Sequence, residues 1–413
     1  MGIGDMADIV NWAPVRRSSM RGFAAHAPRT ASRCDAAALA SINVDQWRGL
    51  ADRAVEPNAY NLADWELPLD ATARDRTNAA ALTACTDAPS AESGAGALIG
   101  LVPVVSAWRA YRIPLPVLVS ADPYGTLCTP LLDRAFANEA AATLLRQARA
   151  IGQHALILRN VALDGAAMKA LTAALERDGL TPHILQTHAR ACLDATQDAD
   201  DLLRDALGVK KLKELRRQRN RLAEQGDVSF QVAHAPGDVV PALETFLALE
   251  ASGWKGKRGT ALLQHDGDAA FIRRASPALA ERGQCEIVTL RAGTTPVAAA
   301  IVLRHQDRAF YFKLGVDEQF AKFSPGVQLT LDLTRYLCAD PAIALADSTA
   351  HPGHPMIEPI WRGRLAIGDV LLPLRRRSHV VPLASAAIAL RGRMRSSARR
   401  VLHIIRKRQE KNT

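Results

Sequence analysis

Ala309 to Leu337 reads AFYFKLGVDEQFAKFSPGVQLTLDLTRYL. Ala309 to Gly315 is rich in aromatic and β-compatible residues and suits a buried strand. Asp317 to Phe323 is polar and shows no apolar period. Ser324-Pro325-Gly326 is a turn signal. Val327, Leu331, Thr334 and Leu337 then fall at helical spacing. The order is strand, loop, glycine turn, helix. A helix that opens on such a turn leaves backbone N–H groups free at the positive end of its dipole, which suits a phosphate.

Working outward, Gln284 to Ala292 and Thr295 to Arg304 are strand-like runs around the Arg291-Ala292-Gly293-Thr294 turn. With Arg308 to Gly315 they predict an antiparallel meander. Ala342 to Asp347 predicts a further strand after the helix. Upstream, Val228 to Ala233 reads as a strand, and Val239 to Ala251 and Asp268 to Arg282 read as helices. Ser252 to Gly259 (SGWKGKRG) is a glycine-rich loop with three basic residues. Those charges could grip a phosphate or carboxylate, or be solvated. Lys210 to Gln225 is a helix with Leu212, Leu215 and Leu222 on a narrow apolar face and seven basic residues over most of the rest. It reads either as a solvated face or as an anion-facing helix.

The first half alternates in the same way. Trp47, Leu50, Ala51 and Ala54 share a helical face, Glu56 to Tyr60 ends that helix, and a second short helix carries Trp65. Both tryptophans read as core. Asp70 to Ser93 reads as a helix or a mobile segment. Strands are predicted at Ala97 to Val105, Ile113 to Val119, His154 to Arg159 and His183 to His188, with a turn at Pro123 to Thr126. Helices are predicted at Ala135 to Ala150 and Gly165 to Asp178. Alternating helices and strands indicate an α/β half-domain.

Apolar residues make up 48% of the 413-residue chain, enough for sizeable cores. The six cysteines form no CxxC pair, so neither a zinc ribbon nor a disulfide framework is indicated. The chain has 52 Lys or Arg against 42 Asp or Glu; residues 375–413 hold twelve and one of these, which leaves 40 and 41 for residues 1–374. The body is therefore about neutral and the tail makes the protein basic, which argues against a broadly nucleic-acid-binding body. In the tail, Ile388, Met394, Val401, Leu402, Ile404 and Ile405 mix with arginines. Such a helix could lie on anionic lipid, bind an acidic partner or RNA, or remain solvated. It is too short and too charged to span a bilayer. Residues 1–35 have no apolar core of signal-peptide length and read as a disordered leader.

The basic helix ending at Gly226, Glu250, Trp254-Lys255, Lys257-Arg258-Gly259, Leu290 to Gly293, Pro296 to Ala299, Tyr311-Phe312-Lys313, Phe323 to Gly326 and Trp361 come in an order that resembles the acetyltransferase-like domain of cellulose-biosynthesis CelD-type proteins. That domain belongs to the GNAT superfamily and is a relative of the Fem peptidoglycan-bridge transferases. The resemblance spans roughly Trp47 to Leu374. It implies an α/β (α+β) chain of tandem GNAT-like lobes, each a mixed, largely antiparallel sheet flanked by helices, plus a basic helical tail. The expected divisions are a leader at 1–35, lobes at 36–200 and 201–374, and a tail at 375–413.

The resemblance also implies an acyl-CoA donor, acetyl or longer, whose pyrophosphate meets Ser324, Gly326, Val327 and Gln328. Pro325 replaces one donor of the glycine-rich loop common in such enzymes, and the Fem relatives use aminoacyl-tRNA instead of CoA. A thioester is already activated, so an attacking amine needs a proton acceptor and the oxyanion needs a donor. Lys313, Asp347 and His351 are the catalytic candidates. Asp347 lies at a predicted strand end, and a histidine titrates near neutrality. Trp254, Lys255, Arg258, Tyr311, His354 and Glu358 are candidates for holding the acceptor. His351-Pro352-Gly353-His354 could instead be a rigid surface loop, and HxxH without a third ligand does not indicate zinc. No metal is expected.

The function expected is acyl transfer to an amine or hydroxyl, in the cytoplasm or at the inner face of the membrane, in envelope or exopolysaccharide synthesis. The alternatives are a Fem-type aminoacyl-tRNA-dependent transferase, which would make tRNA the one nucleic-acid partner, and a non-catalytic membrane-associated scaffold.

Overall fold

A computed structural model of the chain describes residues 36–74, 78–89, 96–121 and 124–394. The expected leader and residues 395–413 of the tail lie outside the described residues. The first half holds β1 (Ala37–Ala38), α1 (Val44–Asp52), α2 (Ala63–Thr72), β2 (Ala80–Pro89), β3 (Gly96–Ser106), α3 (Ala107–Tyr111), β4 (Val117–Ser120), β5 (Leu131–Leu132), α4 (Ala137–Ala150), β6 (Ala155–Ala162), α5 (Ala166–Arg177) and β7 (His183–Asp194). The second half holds α6 (Ala199–Ala223), β8 (Val228–Ala233), α7 (Pro236–Ser252), α8 (Trp254–Lys257), α9 (Asp266–Ala280), β9 (Cys285–Ala292), β10 (Thr295–His305), β11 (Arg308–Val316), α10 (Pro325–Cys338), β12 (Leu345–Asp347) and β13 (Gly363–Pro373).

All the strands join one mixed sheet, in the order β1-β2-β3-β4-β6-β13-β7-β12-β11-β10-β9-β8, with β5 on β3. Each half repeats one unit. An antiparallel meander (β2-β3-β4, or β9-β10-β11) is followed by a helix (α4, or α10) and then by a strand parallel to the last of the meander (β6, or β12). This is the mixed α/β architecture, tandem and GNAT-like, that the sequence implied.

Two segments differ from expectation. Within Asp70 to Ser93 the chain forms strand β2 rather than a helix or mobile segment. Its alanines favour helix in isolation, and pairing along β3 overrides that weak preference. Residues 363–373, left unassigned by the sequence, form β13 between β6 and β7, antiparallel to both. With a neighbour on each edge and both faces covered, its run Val370-Leu371-Leu372 shows no clean alternation.

The halves are also bound by a shared core. Tyr60 and Trp65 of the first half meet Phe310, Phe312 and Phe271 edge-on or tilted, at ring-centroid distances of 4.9–6.0 Å. Both tryptophans of α1 and α2 are fully buried. His305 on β10 accepts from the Asn58 N–H through Nδ1 at 2.8 Å and bonds the Ala51 carbonyl through Nε2 at 3.0 Å. Burial lowers its pKa to about 4, so the ring stays neutral and serves as a bridge between the halves.

Candidate active site

β11 and β12 run parallel through three pairs, Arg308 with Leu345, Ala309 with Ala346 and Phe310 with Asp347. β12 ends there, while β11 continues to Val316. Thr349, in the left-handed region at φ 51°, turns the chain away. Its N–H donates to Asp347 Oδ1 at 2.7 Å and its hydroxyl to the Tyr311 carbonyl at 2.6 Å. Beyond that contact β11 runs on from Phe312 to Val316 without its parallel neighbour, and the gap between the two strands is the candidate cleft.

A β-bulge aims the side chains on that wall. Ile301 faces Lys313 and Val302 faces Tyr311, so Phe312 is the extra residue. Phe310 and Phe312 share a face by ordinary alternation and pack in the same core, towards α7 and α9, while Tyr311 packs on the α10 side. Lys313 is thrown onto the α7 side, where its ammonium bonds Glu250 Oε1 at 3.2 Å. The ammonium of Lys255 bonds the same oxygen at 3.3 Å and the Leu314 carbonyl at 3.0 Å. Glu250 Oε2 accepts the Leu262 N–H at 2.9 Å. One buried carboxylate thus holds two lysines, and the cluster keeps one net positive charge against the cleft wall. Burial would raise the pKa of Glu250, but the charges of Lys313 and Lys255 outweigh it and the carboxyl is held below its ordinary value. Burial dominates at Lys255, lowering its pKa to about 8 despite Glu250.

The close approach of α7 to β11 depends on Gly315, where a Cβ would sit 2.8 Å from the Glu250 nitrogen. Tyr124, from the first half, closes the far side. Its ring stacks on Phe271 and lies 5.9 Å from the Lys313 ammonium. Burial, then the neighbouring Asp268, push its hydroxyl well above the usual phenol range.

The amino end of α10 flanks the cleft. Ser324 is left-handed at φ 53°, and Pro325 opens the helix. The first intrahelical donor is Gln328, to the Ser324 carbonyl at 3.0 Å. Pro325 has no N–H, so Gly326 and Val327 carry the two donors with no acceptor inside the helix. Gly326 lets this turn lie on β11, since a Cβ there would meet Leu314 at 3.0 Å, Val316 at 3.2 Å and Met356 at 3.4 Å. The Gln328 side chain points away and donates to the Leu215 carbonyl of α6 at 2.8 Å. Arg219 of α6 pairs with Asp332 at 2.8 Å. Lys210, Lys211, Lys213, Arg216, Arg217 and Arg221 face solvent on the same helix.

The other sequence candidates fall into three groups. Asp347 is fully buried and pairs with Arg190 Nη1 at 3.2 Å, so both of its oxygens are engaged. His351 is exposed beside it and, after burial and Arg190, helps lower the pKa of His188 to about 4. His354 and Glu358 serve the next turn: His354 Nδ1 accepts the Met356 and Ile357 N–H groups, and Glu358 accepts that of Gly353 at 2.6 Å. Trp254 stacks under Arg258 at 5.1 Å and lies 5.9 Å from the Lys255 ammonium. Tyr311 is buried and bonds the Thr330 hydroxyl at 3.3 Å. The structure thus joins Lys313 and Lys255 on Glu250 at the α7 face, puts Tyr311 and the α10 amino end on the opposite face and Asp347 with Arg190 at the end of β12, and gives the side chains of Gln328, His354 and Glu358 local partners. Sequence reasoning quoted Glu250 without giving it a role and passed over Arg190 and Tyr124. The one signal for Glu250 was a carboxylate in an otherwise apolar stretch of α7 just ahead of a lysine-rich loop.

Residues 209–348 match the family model of an acetyltransferase (GNAT) domain. No curated protein matches the chain. Among solved structures, FemX superimposes with a TM-score of 0.51 at 12% identity, covering 79% of this chain and 96% of that one. L-PGS from Bacillus licheniformis gives 0.47 at 13%, covering 81% and 97%. A tandem GNAT protein of the clavulanic acid biosynthesis pathway gives 0.39 at 14%, covering 81% and 96%. At 12% identity the likeness to FemX is one of fold. The chain carries a GNAT acyltransferase fold in its second half, which supports a transferase.

Proposed function

We propose that the chain transfers an acyl group from acyl-CoA to an amine or hydroxyl acceptor at the cleft between β11 and β12. The observation that carries this reading is the amino end of α10. Two N–H donors without intrahelical acceptors, on Gly326 and Val327, stand beside a strand edge that its parallel neighbour has left. That pairing suits a donor with a phosphate at one end and a thin arm reaching along the strand. The acceptor's nitrogen or oxygen would attack the acyl carbon, the carbon–sulfur bond would break, and the departing thiolate would take up a proton. In this reading the exposed His351 accepts the acceptor's proton. Lys313, bonded to Glu250, supplies a positive field where the oxyanion develops. Asp347, with both oxygens engaged, acts by fixing Arg190 and Thr349. In this reading Trp254 on α8 and Arg258, the residue that caps it, contact the acceptor. The resemblance to CelD-type proteins directs the search for that acceptor to the sugars and amines of exopolysaccharide and envelope synthesis.

A second reading, an aminoacyl-tRNA donor, is favoured by one observation. The six exposed cations of α6 lie on the helix that packs against α10, a surface suited to a nucleic-acid backbone. Thiol release from acetyl-CoA and longer acyl-CoAs across an acceptor panel tests the first reading, and deacylation of charged tRNA in parallel tests the second. Acceptor-dependent thiol release supports the CoA reading. Release from tRNA alone replaces it, and silence in both assays favours the scaffold.

A further inference from the structure

Residues 380–394 form a helix that lies along the first half of the sheet. Val380, Val381, Ala384 and Ile388 pack on Val117, Val119, Ile157 and Leu371. Arg391 donates to the Tyr111 carbonyl at 2.9 Å and stacks over its ring at 5.9 Å. One face of the helix is therefore fixed by the body. Leu383, Leu390 and Met394 fall seven and four residues apart, which puts them on a single stripe. They are 57%, 60% and 66% exposed. Trp108, on α3 against the same helix, is 54% exposed, with Arg112 over its ring. Large apolar side chains gathered in this way on a surface signal a partner.

Charge says which partner. Residues 375–413 hold twelve Lys or Arg and one acid, while the rest of the chain is close to neutral. A second copy of the same face would bring like charges together, which disfavours self-association. A phosphate backbone would use the cations but leave the leucine stripe and the tryptophan in water. An anionic lipid surface uses both, since its headgroups attract the cations and the boundary beneath them takes Leu, Met and Trp.

We propose that helix 380–394 and Trp108 form a docking face for an anionic bilayer surface, with Leu383, Leu390 and Met394 inserted at the interface. The sheet adds a geometric consequence. The face lies where β6 and β7 begin and β13 ends. β12 runs antiparallel to β7, so the carboxyl ends of β11 and β12 open towards that same edge of the twisted sheet. Docking would hold the cleft on the bilayer side, within reach of an acceptor carried in lipid.

The test is co-sedimentation of the full chain with vesicles of phosphatidylcholine containing a quarter phosphatidylglycerol, or with phosphatidylcholine alone. The comparison protein is Leu383→Ser/Leu390→Ser/Met394→Ser, which keeps every charge and changes only exposed side chains. The expected results are binding to the anionic vesicles, at least about tenfold weaker partition for the triple variant as three apolar side chains are lost from the interface, and a blue shift of emission that Trp108→Phe removes. Three results would each overturn the proposal. They are equal partition of the two proteins, no partition of the wild type, or tighter binding to duplex RNA than to vesicles at equal salt.

Discussion

The two copies of the repeated unit differ most where their parallel strands part. In the first, β4 and β6 share three pairs, Val117 with Ala155, Leu118 with Leu156 and Val119 with Ile157. The gap beyond them is closed by backbone: the Cys128 N–H donates to the Asn160 carbonyl at 3.2 Å. Asn58 holds that segment with bonds to the Leu127 and Thr129 carbonyls at 3.1 and 2.8 Å. The helix that follows, α4, opens at Phe136 without a turn glycine and carries Glu139 in its first turn. In the second copy, β11 and β12 also share three pairs, but among the described residues the contacts to the β11 carbonyls there come from side chains, those of Thr349 and Lys255. Its helix opens on Ser324-Pro325-Gly326 with no acid in the first turn. The first gap is sealed by main chain and its helix end already has an anion. The second is lined by two lysines and its helix end is bare. One topology thus yields a structural lobe and a candidate site.

Substitutions can break this contrast from either side. Glu250→Ala should have the largest effect. It leaves two lysines buried without their counter-ion, a loss of about 3–5 kcal/mol, read as a lower urea midpoint together with lost transfer. Asn58→Ala should cost roughly 1–3 kcal/mol by leaving the buried Leu127 carbonyl without its Asn58 donor, while the Thr129 carbonyl keeps the Asn61 amide. Donor affinity, measured by calorimetry on the folded protein, should stay unchanged, because that seal belongs to the first copy. If affinity falls with it, the two gaps are not independent.

Lys255 offers a subtler handle. Its folded pKa of about 8 lies below the ordinary lysine value of 10.5. Between those values the unfolded chain binds more protons, so the stability contribution is lowest below pH 8 and rises with pH above it. A gain on the order of 1 kcal/mol between pH 7.5 and 9.5 is expected, and Lys255→Met should flatten it. A slope that survives in Lys255→Met would place the titration elsewhere. Ser324→Gly should have the smallest effect, a gain of up to about 1 kcal/mol from relieving the left-handed backbone, with donor affinity retained.

The legible parts of the sequence were those with local causes. The meander, the Ser324-Pro325-Gly326 opening and α10 follow from turn residues and periodicity. β2 and β13 were hidden because long-range pairing decides them. Alanines in Ala80–Pro89 favour helix until β3 is alongside, and residues 363–373 become a strand only between β6 and β7. The cleft was half legible for the same reason. Lys313 was visible as a charge in an aromatic strand, but the bulge at Phe312 that aims it, and its meeting with Lys255 on Glu250, exist only in three dimensions. Arg190 and Tyr124 reach the cleft from elements distant in sequence, and no local pattern marks them.

The most direct test of the contrast is to give α10 the acid that α4 already has. Val327 is partly exposed in the first turn of α10, where a glutamate suits the helix dipole and leaves folding intact. Acetyl-CoA would be titrated by calorimetry into the wild-type chain and into Val327→Glu. Binding to the wild type is expected, with affinity at least about tenfold weaker in the variant, the equivalent of about 1.4 kcal/mol. Equal affinity in the two proteins, or no binding of any acyl-CoA to the wild type, would contradict that contrast.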